Sequence, residues 1–248
     1  MRFFDTHVHL PSPDAAGLAA LQEHAQGEQG RVGGLLILNT AEEEQFAAAH
    51  LDQLPTDLAP VPAFWPRRSL DPRLSPTGWF KLHPRIGQID ADAIPEVVAA
   101  VESAELSGLI VHCFPWGPQL RFEVSLPLVI ALAQARPDLP VLATHGGGYE
   151  SWALLAHTRA LPNVLYDFSV SLAYYRGSDL LLPLAELLAR RPERVLFGSD
   201  WPSAGSATQL TEATRIAGIA GLEPHELESL MLANSRRYWP DFVGLESP

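Results

Sequence analysis

Cysteine is almost missing from this chain. Cys113 is the single one in 248 residues, so an intramolecular disulfide is impossible and a cysteine-based zinc site is excluded. Basic residues are also scarce. The 17 Lys and Arg stand against 29 Asp and Glu, a formal charge of −12. Such a chain has no general field to attract nucleic acid or an anionic membrane, although a metal and a few arginines can still make one pocket positive. No apolar run is long enough to cross a bilayer, and the opening MRFFDTHVHL lacks the shape of a signal peptide. Cytoplasm is therefore the expected location. No GxGxxG or GxxxxGK[ST] follows a strand, and no GxSxG accompanies Gly146, Gly147 and Gly148. Phosphate-cradling loops and a serine nucleophile elbow are set aside on that ground.

What is present is a chain that is 47% hydrophobic and 19% charged, the balance of a globular protein. Short apolar runs alternate with amphipathic segments. Eight runs read as strands: FFDTHVHL from Phe3, GGLLILNT from Gly33, LAPVPAFW from Leu58, GWFKLHP from Gly78, GLIVHCF from Gly108, PVLATHG from Pro140, NVLYDFS from Asn163 and RVLFGSD from Arg194. Between them, Ile94, Val97, Val98 and Val101 keep helical spacing, with Pro95 near the start of that helix. Leu227, Leu230, Met231 and Asn234 do the same in an extra C-terminal helix opened by Pro224. The stretch WPRRSLDPRLSPTG has three prolines and no period, and reads as a loop replacing the third helix. Length and pattern predict an α/β fold: one domain over 1–248, a distorted (β/α)₈ barrel. An open doubly wound sheet would gather its polar residues at one switch point. Here they close many strands.

His7 and His9 lie two apart at the end of the first strand, so both face one side, where they can reach one divalent ion. Asp5 is expected on that face, one step deeper. His112, His145 and Asp200 close the fifth, sixth and eighth strands. One histidine at a strand end is ordinary; four histidines and an aspartate so placed suit Zn, Mn, Fe or Co. Lys81 and His83 share a face of the fourth strand, as substrate groups or, for Lys81, as half of a structural ion pair. Trp65, Arg67, Arg68, Arg85, Trp116, Tyr149 and Trp201 follow strands and would suit a carboxylate-bearing or cyclic substrate, of which Arg67 and Trp201 are kept as substrate-binding candidates. Asp167 is read as an orienting acceptor for a histidine. His24, His50, His157 and His225 are read as surface residues, and Cys113 as a buried thiol facing the helices.

The stretches FDTHVHL, FKLHP, VHCF, ATHGGG and LFGSDWP, with ANSRRYW near the end, together resemble the amidohydrolase superfamily, in particular its amidohydrolase-related mononuclear branch. The resemblance runs from residue 3 to about 239. It implies one divalent metal, zinc first and manganese second, held by His7, His9, His112 and Asp200. It also makes His145 a general acid/base or additional ligand. Asp200 would hold the water and take its proton, and His145 would polarise the carbonyl or protonate the leaving group. In binuclear relatives a lysine at the place of Lys81 is carboxylated.

The expected activity is hydrolysis of a C–O or C–N bond in a lactone, ester or cyclic amide of a small, carboxylate-bearing molecule. The alternative on the same scaffold is a non-oxidative decarboxylase. A TatD-like nuclease has a similar opening, but FKLHP lacks that family's strand-four glutamate, and the acidic charge opposes DNA. A dead barrel used for binding is opposed by the complete ligand set. The expected partner is a small-molecule substrate, with the chain as monomer or homodimer.

Overall fold

The computed structural model describes residues 1–64 and 72–242. Among these, eight strands alternate with helices: β1 (Phe3–His9), α1 (Ala15–Gly27), β2 (Arg31–Ile37), α2 (Ala41–Ala49), β3 (Leu58–Val61), β4 (Trp79–Leu82), α3 (Ile94–Ser103), β5 (Gly108–Val111), α4 (Ser125–Ala135), β6 (Val141–Ala143), α5 (Ser151–Thr158), β7 (Val164–Asp167), α6 (Ser171–Tyr174), α7 (Leu182–Arg190), β8 (Val195–Leu196), α8 (Ser206–Ile219) and α9 (Pro224–Tyr238). Pro95 and Pro224 stand in the first turns of α3 and α9, where a missing N–H costs nothing. Between β3 and β4 the described residues hold a 3₁₀ turn, Pro72–Leu74, and no α-helix. None of the described helices is long and apolar enough to cross a membrane.

All strand pairs are parallel, in the orders β1-β2-β3 and β4-β5-β6-β7-β8. Backbone hydrogen bonds join the two groups at both seams. Lys81 N donates to Pro62 O (2.8 Å) and Phe64 N to Lys81 O (2.7 Å). On the other side, Thr6 N donates to Phe197 O (2.9 Å), Asp200 N to His7 O (2.7 Å) and His9 N to Trp201 O (2.8 Å). The ring of a (β/α)₈ barrel is thereby complete, and both seams run through residues singled out in the sequence.

Two layers of apolar side chains follow from strand alternation. Phe4, Leu35, Ile37, Val61, Trp79, Ile110, Leu142 and Leu165 fill the interior with Trp239 from beyond α9. A larger outer layer lies between strands and helices and includes Cys113, as expected. Burial pushes the Cys113 thiol pKa up, so it is inert.

One expectation fails at β1. Asp5 pairs with Gly34 and His9 with Ile37, with a register shift between Asp5 and Val8. Four steps on one strand match three on the other, so Asp5 and His9 fall on opposite faces. Asp5 instead accepts the backbone N–H groups of His7 (3.1 Å) and Ser199 (2.8 Å), tying the β1–β8 seam.

Candidate metal centre and active-site cleft

At the C-terminal ends of the strands a cleft of about 400 Å³ opens, lined in part by His9, Lys81, His83, His112, His145 and Asp200. On its floor, Asp200 Oδ1 is 3.2 Å from His9 Nε2 and 3.4 Å from His7 Nε2. Two ligands held at ~2.0–2.1 Å by a tetrahedral ion stand about 3.3 Å apart. His7, His9 and Asp200 thus form a group whose donor atoms all lie within 4.8 Å of one another, and its spacing fits one such ion. The nitrogens turned away from that point face polar groups. His7 Nδ1 faces Asp167 Oδ2 at 3.7 Å. His9 Nδ1 meets the side-chain amide of Asn39 at 3.3 Å, and the amide oxygen of Asn39 is buried without a partner among the described residues. A half-turn of that amide presents the oxygen to His9 Nδ1–H and leaves His9 Nε2 its lone pair. Asn39 is set at the end of β2 by the next helix: its N–H donates to Glu43, which closes a capping box with Thr40.

Charge states suit ligation. Burial pulls the His7 pKa down to about 3, the Lys81 cation adds to this, and Asp167 opposes it. Burial alone would raise Asp200, but the charge of His145 and the hydrogen bond from His9 win and hold it well below the usual range. At neutral pH the floor therefore offers a neutral His7 imidazole and an ionised Asp200 carboxylate, forms that bind a cation. Lys81 is 1% exposed, and burial takes its pKa down to about 8 while Asp167 and Asp200 oppose. Its Nζ lies 3.3 Å from His7 Nε2 and 3.5 Å from Thr144 Oγ1. No carboxylate stands within ion-pair distance of it among the described residues.

A hydrogen-bonded relay runs beside the floor. His145 Nδ1 faces the carbonyl of Ser169 (3.1 Å) and its hydroxyl (2.9 Å). A carbonyl only accepts, so Nδ1 carries the proton and Nε2 the lone pair. Ser169 then gives its own proton to Asp167 Oδ1 in a short contact. His145 Nε2 lies 3.1 Å from His112 Nδ1, and His112 Nε2 faces both Arg85 (3.4 Å) and the carbonyl of Phe114 (3.3 Å). Asp167 anchors the far end, also accepting the N–H groups of His145 (3.1 Å) and Ser169 (2.9 Å). Burial would raise Asp167; hydrogen bonding and charge from His7 prevail and keep it ionised.

The backbone is strained where it presents these groups. His145 (φ 61°), Val170 (φ 54°) and Asp200 (φ 64°) are left-handed non-glycine residues after β6, β7 and β8. Gly146 shares that conformation, and a Cβ there would meet the Phe168 ring at 2.4 Å. The glycine run is thus needed for a left-handed turn under a packed aromatic, not as an oxyanion loop.

Of the four expected ligands, the structure brings together three. His112 is turned to His145 and stacks on His83 with ring centroids 3.9 Å apart. Burial first, and then the charges of Lys81 and Arg85, pull His83 well below its ordinary pKa. Trp201 lies on the other side of the β1–β8 seam, its ring stacked on His24 at 4.2 Å. It pins a loop to α1 and does not line the cleft. His24 and His50 are accordingly ring-stacked rather than free surface residues, whereas His157 and His225 are exposed. Arg67, Trp65 and Arg68 lie outside the described residues. Ser169, Asn39, Tyr174 and Ser203 are site residues that sequence reasoning missed. For Ser169 the available signal was its position two residues after Asp167, on the same face of a strand end.

A barrel with metal-ligating groups at its strand ends defines a class of enzyme, and comparison gives the family. The sequence model of the amidohydrolase family matches residues 2–240, so the chain belongs to that family and is an enzyme of the metal-dependent hydrolase type. No curated protein matches it. Among solved structures it is similar to an amidohydrolase from Burkholderia multivorans with bound zinc: 18% identity, TM-score 0.63, covering 97% of this chain and 99% of that one. A probable 2-pyrone-4,6-dicarboxylic acid hydrolase from Acinetobacter baumannii, with citric acid bound, follows at 13% identity, TM-score 0.56, covering 97% and 100%. The 5-carboxyvanillate decarboxylase of Sphingomonas paucimobilis has 14% identity and TM-score 0.55, covering 96% and 99%. At such identities the likeness is one of fold.

Proposed function

We propose that the chain hydrolyses a C–O or C–N bond in a small, flat, carboxylate-bearing molecule such as a lactone, at one divalent ion held by His7, His9 and Asp200. The observation that carries this is the ligand spacing of 3.2 and 3.4 Å on the cleft floor. When bound, the ion supplies Lewis acidity and brings the pKa of water to ~7. The chain's own groups do the rest. Asp200, ionised and acceptor-only, takes the proton of the attacking water. His145, its Nδ1–H fixed by Ser169, keeps Nε2 ready to receive a proton and pass it to the leaving oxygen or nitrogen. Water adds to the carbonyl carbon, the C–O or C–N bond breaks, and the leaving atom takes up the proton. Lys81 offers its amine to a substrate carboxylate from the floor. Phe114, Trp116 and Tyr174 form aromatic walls that suit a planar ring. The name of the Acinetobacter relative, a hydrolase of a cyclic dicarboxylate, supports this class of substrate.

Elemental analysis of protein purified without chelator tests the site. About one zinc or manganese per chain is expected, lost in a His9→Ala/Asp200→Asn variant whose circular dichroism is unchanged. No retained metal after supplying zinc and manganese would overturn the assignment. Product analysis on a panel of lactones, cyclic amides and aromatic carboxylic acids separates the chemistry. Incorporation of ¹⁸O from water into product supports hydrolysis, whereas release of CO₂ without it would replace hydrolysis with decarboxylation.

A further inference from the structure

A second and larger cleft, about 660 Å³, opens on the outside of the barrel between α5 and α7. It belongs to the opposite end of the ring, for Arg194 precedes β8 whereas Asp200 follows it. Arg159, Arg190, Arg191 and Arg194 line it, against one carboxylate, Glu186. Glu186 is used by Arg190, 2.5 Å away. Arg159, Arg191 and Arg194 have no carboxylate at ion-pair distance among the described residues. Arg31, Arg121, Arg136, Arg176 and Arg215, by contrast, each have a carboxylate partner.

Helix ends explain part of the arrangement. Arg159 and Arg191 follow the last turns of α5 and α7, where the helix dipole favours a cation. That does not explain Arg194. It is only 7% exposed, and the group it interacts with is the phenol of Tyr166, which is neutral. A guanidinium taken out of water with no counter-charge is unfavourable, and an anion in the cleft supplies the missing charge. The α5 side of the cleft carries Trp152, 49% exposed, with Leu155 and Arg159, and the α7 side carries Leu187, followed by Arg191 and Arg194. A flat aromatic face in one cleft with three unneutralised guanidinium forks fits a molecule that is planar at one end and multiply anionic at the other. The volume is that of a small-molecule pocket, and the chain's net charge of −12 opposes a long nucleic acid.

We propose that this cleft binds a small phosphate-bearing molecule with a planar ring, of the nucleotide class, its phosphates on Arg159, Arg191 and Arg194 and its ring on Trp152. The test is isothermal titration calorimetry of the full chain with ADP, pyrophosphate and adenosine. It is run beside Arg159→Glu/Arg191→Glu and Trp152→Ala. These are surface substitutions that spare the buried Arg194, and circular dichroism checks their fold. ADP is expected to bind the wild type. The charge-reversed variant should bind it at least about tenfold more weakly. Trp152→Ala should weaken ADP by about tenfold and leave pyrophosphate unchanged. Absence of ADP binding at millimolar concentration would overturn the site. So would binding that survives charge reversal, since that places the ligand elsewhere, the catalytic cleft included. If ADP binding is indifferent to Trp152→Ala, the ring-binding half is wrong.

Discussion

Ser169 has one hydroxyl proton, and its destination decides which nitrogen of His145 is free. Because the proton goes to Asp167, the hydroxyl oxygen accepts from His145 Nδ1, and Nε2 points its lone pair along the relay. Ser169→Ala leaves His145 Nδ1 a single acceptor, the Ser169 carbonyl at 3.1 Å. The expected result is a fall in kcat of ~10–100-fold, as for other orienting partners, with metal content and KM little changed. A loss of metal in step with activity would instead place Ser169 among the groups that build the ion's floor. His7, His9 and Asp200 are legible in the sequence because each closes an apolar run at the end of a strand. Asp5 is not, because the register shift in β1 depends on pairing with β2 and leaves no local mark. His112 is legible as a cleft residue, but its partner is set by side-chain rotation. Nothing in VHCF tells whether the ring turns toward His9 or toward His145.

The elements that bring these residues to the cleft do so through left-handed turns, and the cost of those turns can be measured. Gly146 has φ +56° and its missing Cβ leaves room for the Phe168 ring 2.4 Å away. Gly146→Ala meets both obstacles and is expected to destabilise by about 1–3 kcal/mol, read as a lower midpoint in thermal or urea unfolding. Gly218, near the end of α8, has nothing within 4 Å of its would-be Cβ. Gly218→Ala is therefore expected to be neutral or to stabilise by up to ~1 kcal/mol. Equal effects of the two would refute the steric account of the ATHGGG turn. At this scale the sequence is informative about the existence of elements and poor on their ends. Eight apolar runs predict eight strands, and Pro95 and Pro224 mark two helix starts. Yet RVLFGSD yields only two residues of regular strand, because from Phe197 onward the chain bonds to β1 through an irregular seam.

For the molecule as a whole, closure of the ring is the central requirement, since the floor is shared by β1 and β8 and the amine of Lys81 arrives from the β3–β4 seam. The residue that seals the other end is Trp239, far along the chain from the strands it touches. Its ring is stacked on Phe4 of β1 at 5.3 Å and lies 4.8 Å from Trp79 of β4, one strand from each seam. It is 1% exposed, and its indole N–H has no hydrogen-bond partner among the described residues. Its contribution is therefore packing. Trp239→Ala should cost ~3–5 kcal/mol and lower the unfolding midpoint of the whole fold in one cooperative step. Trp239→Phe should cost markedly less, because it keeps an aromatic ring and gives up no hydrogen bond. Both variants should retain the metal while folded, as the floor is at the opposite end of the barrel. Thermal unfolding followed in parallel by circular dichroism and metal release checks this. If Trp239→Ala releases metal well below the temperature at which the helices melt, the two ends are not one cooperative unit, and the ring holds its site through the seams alone.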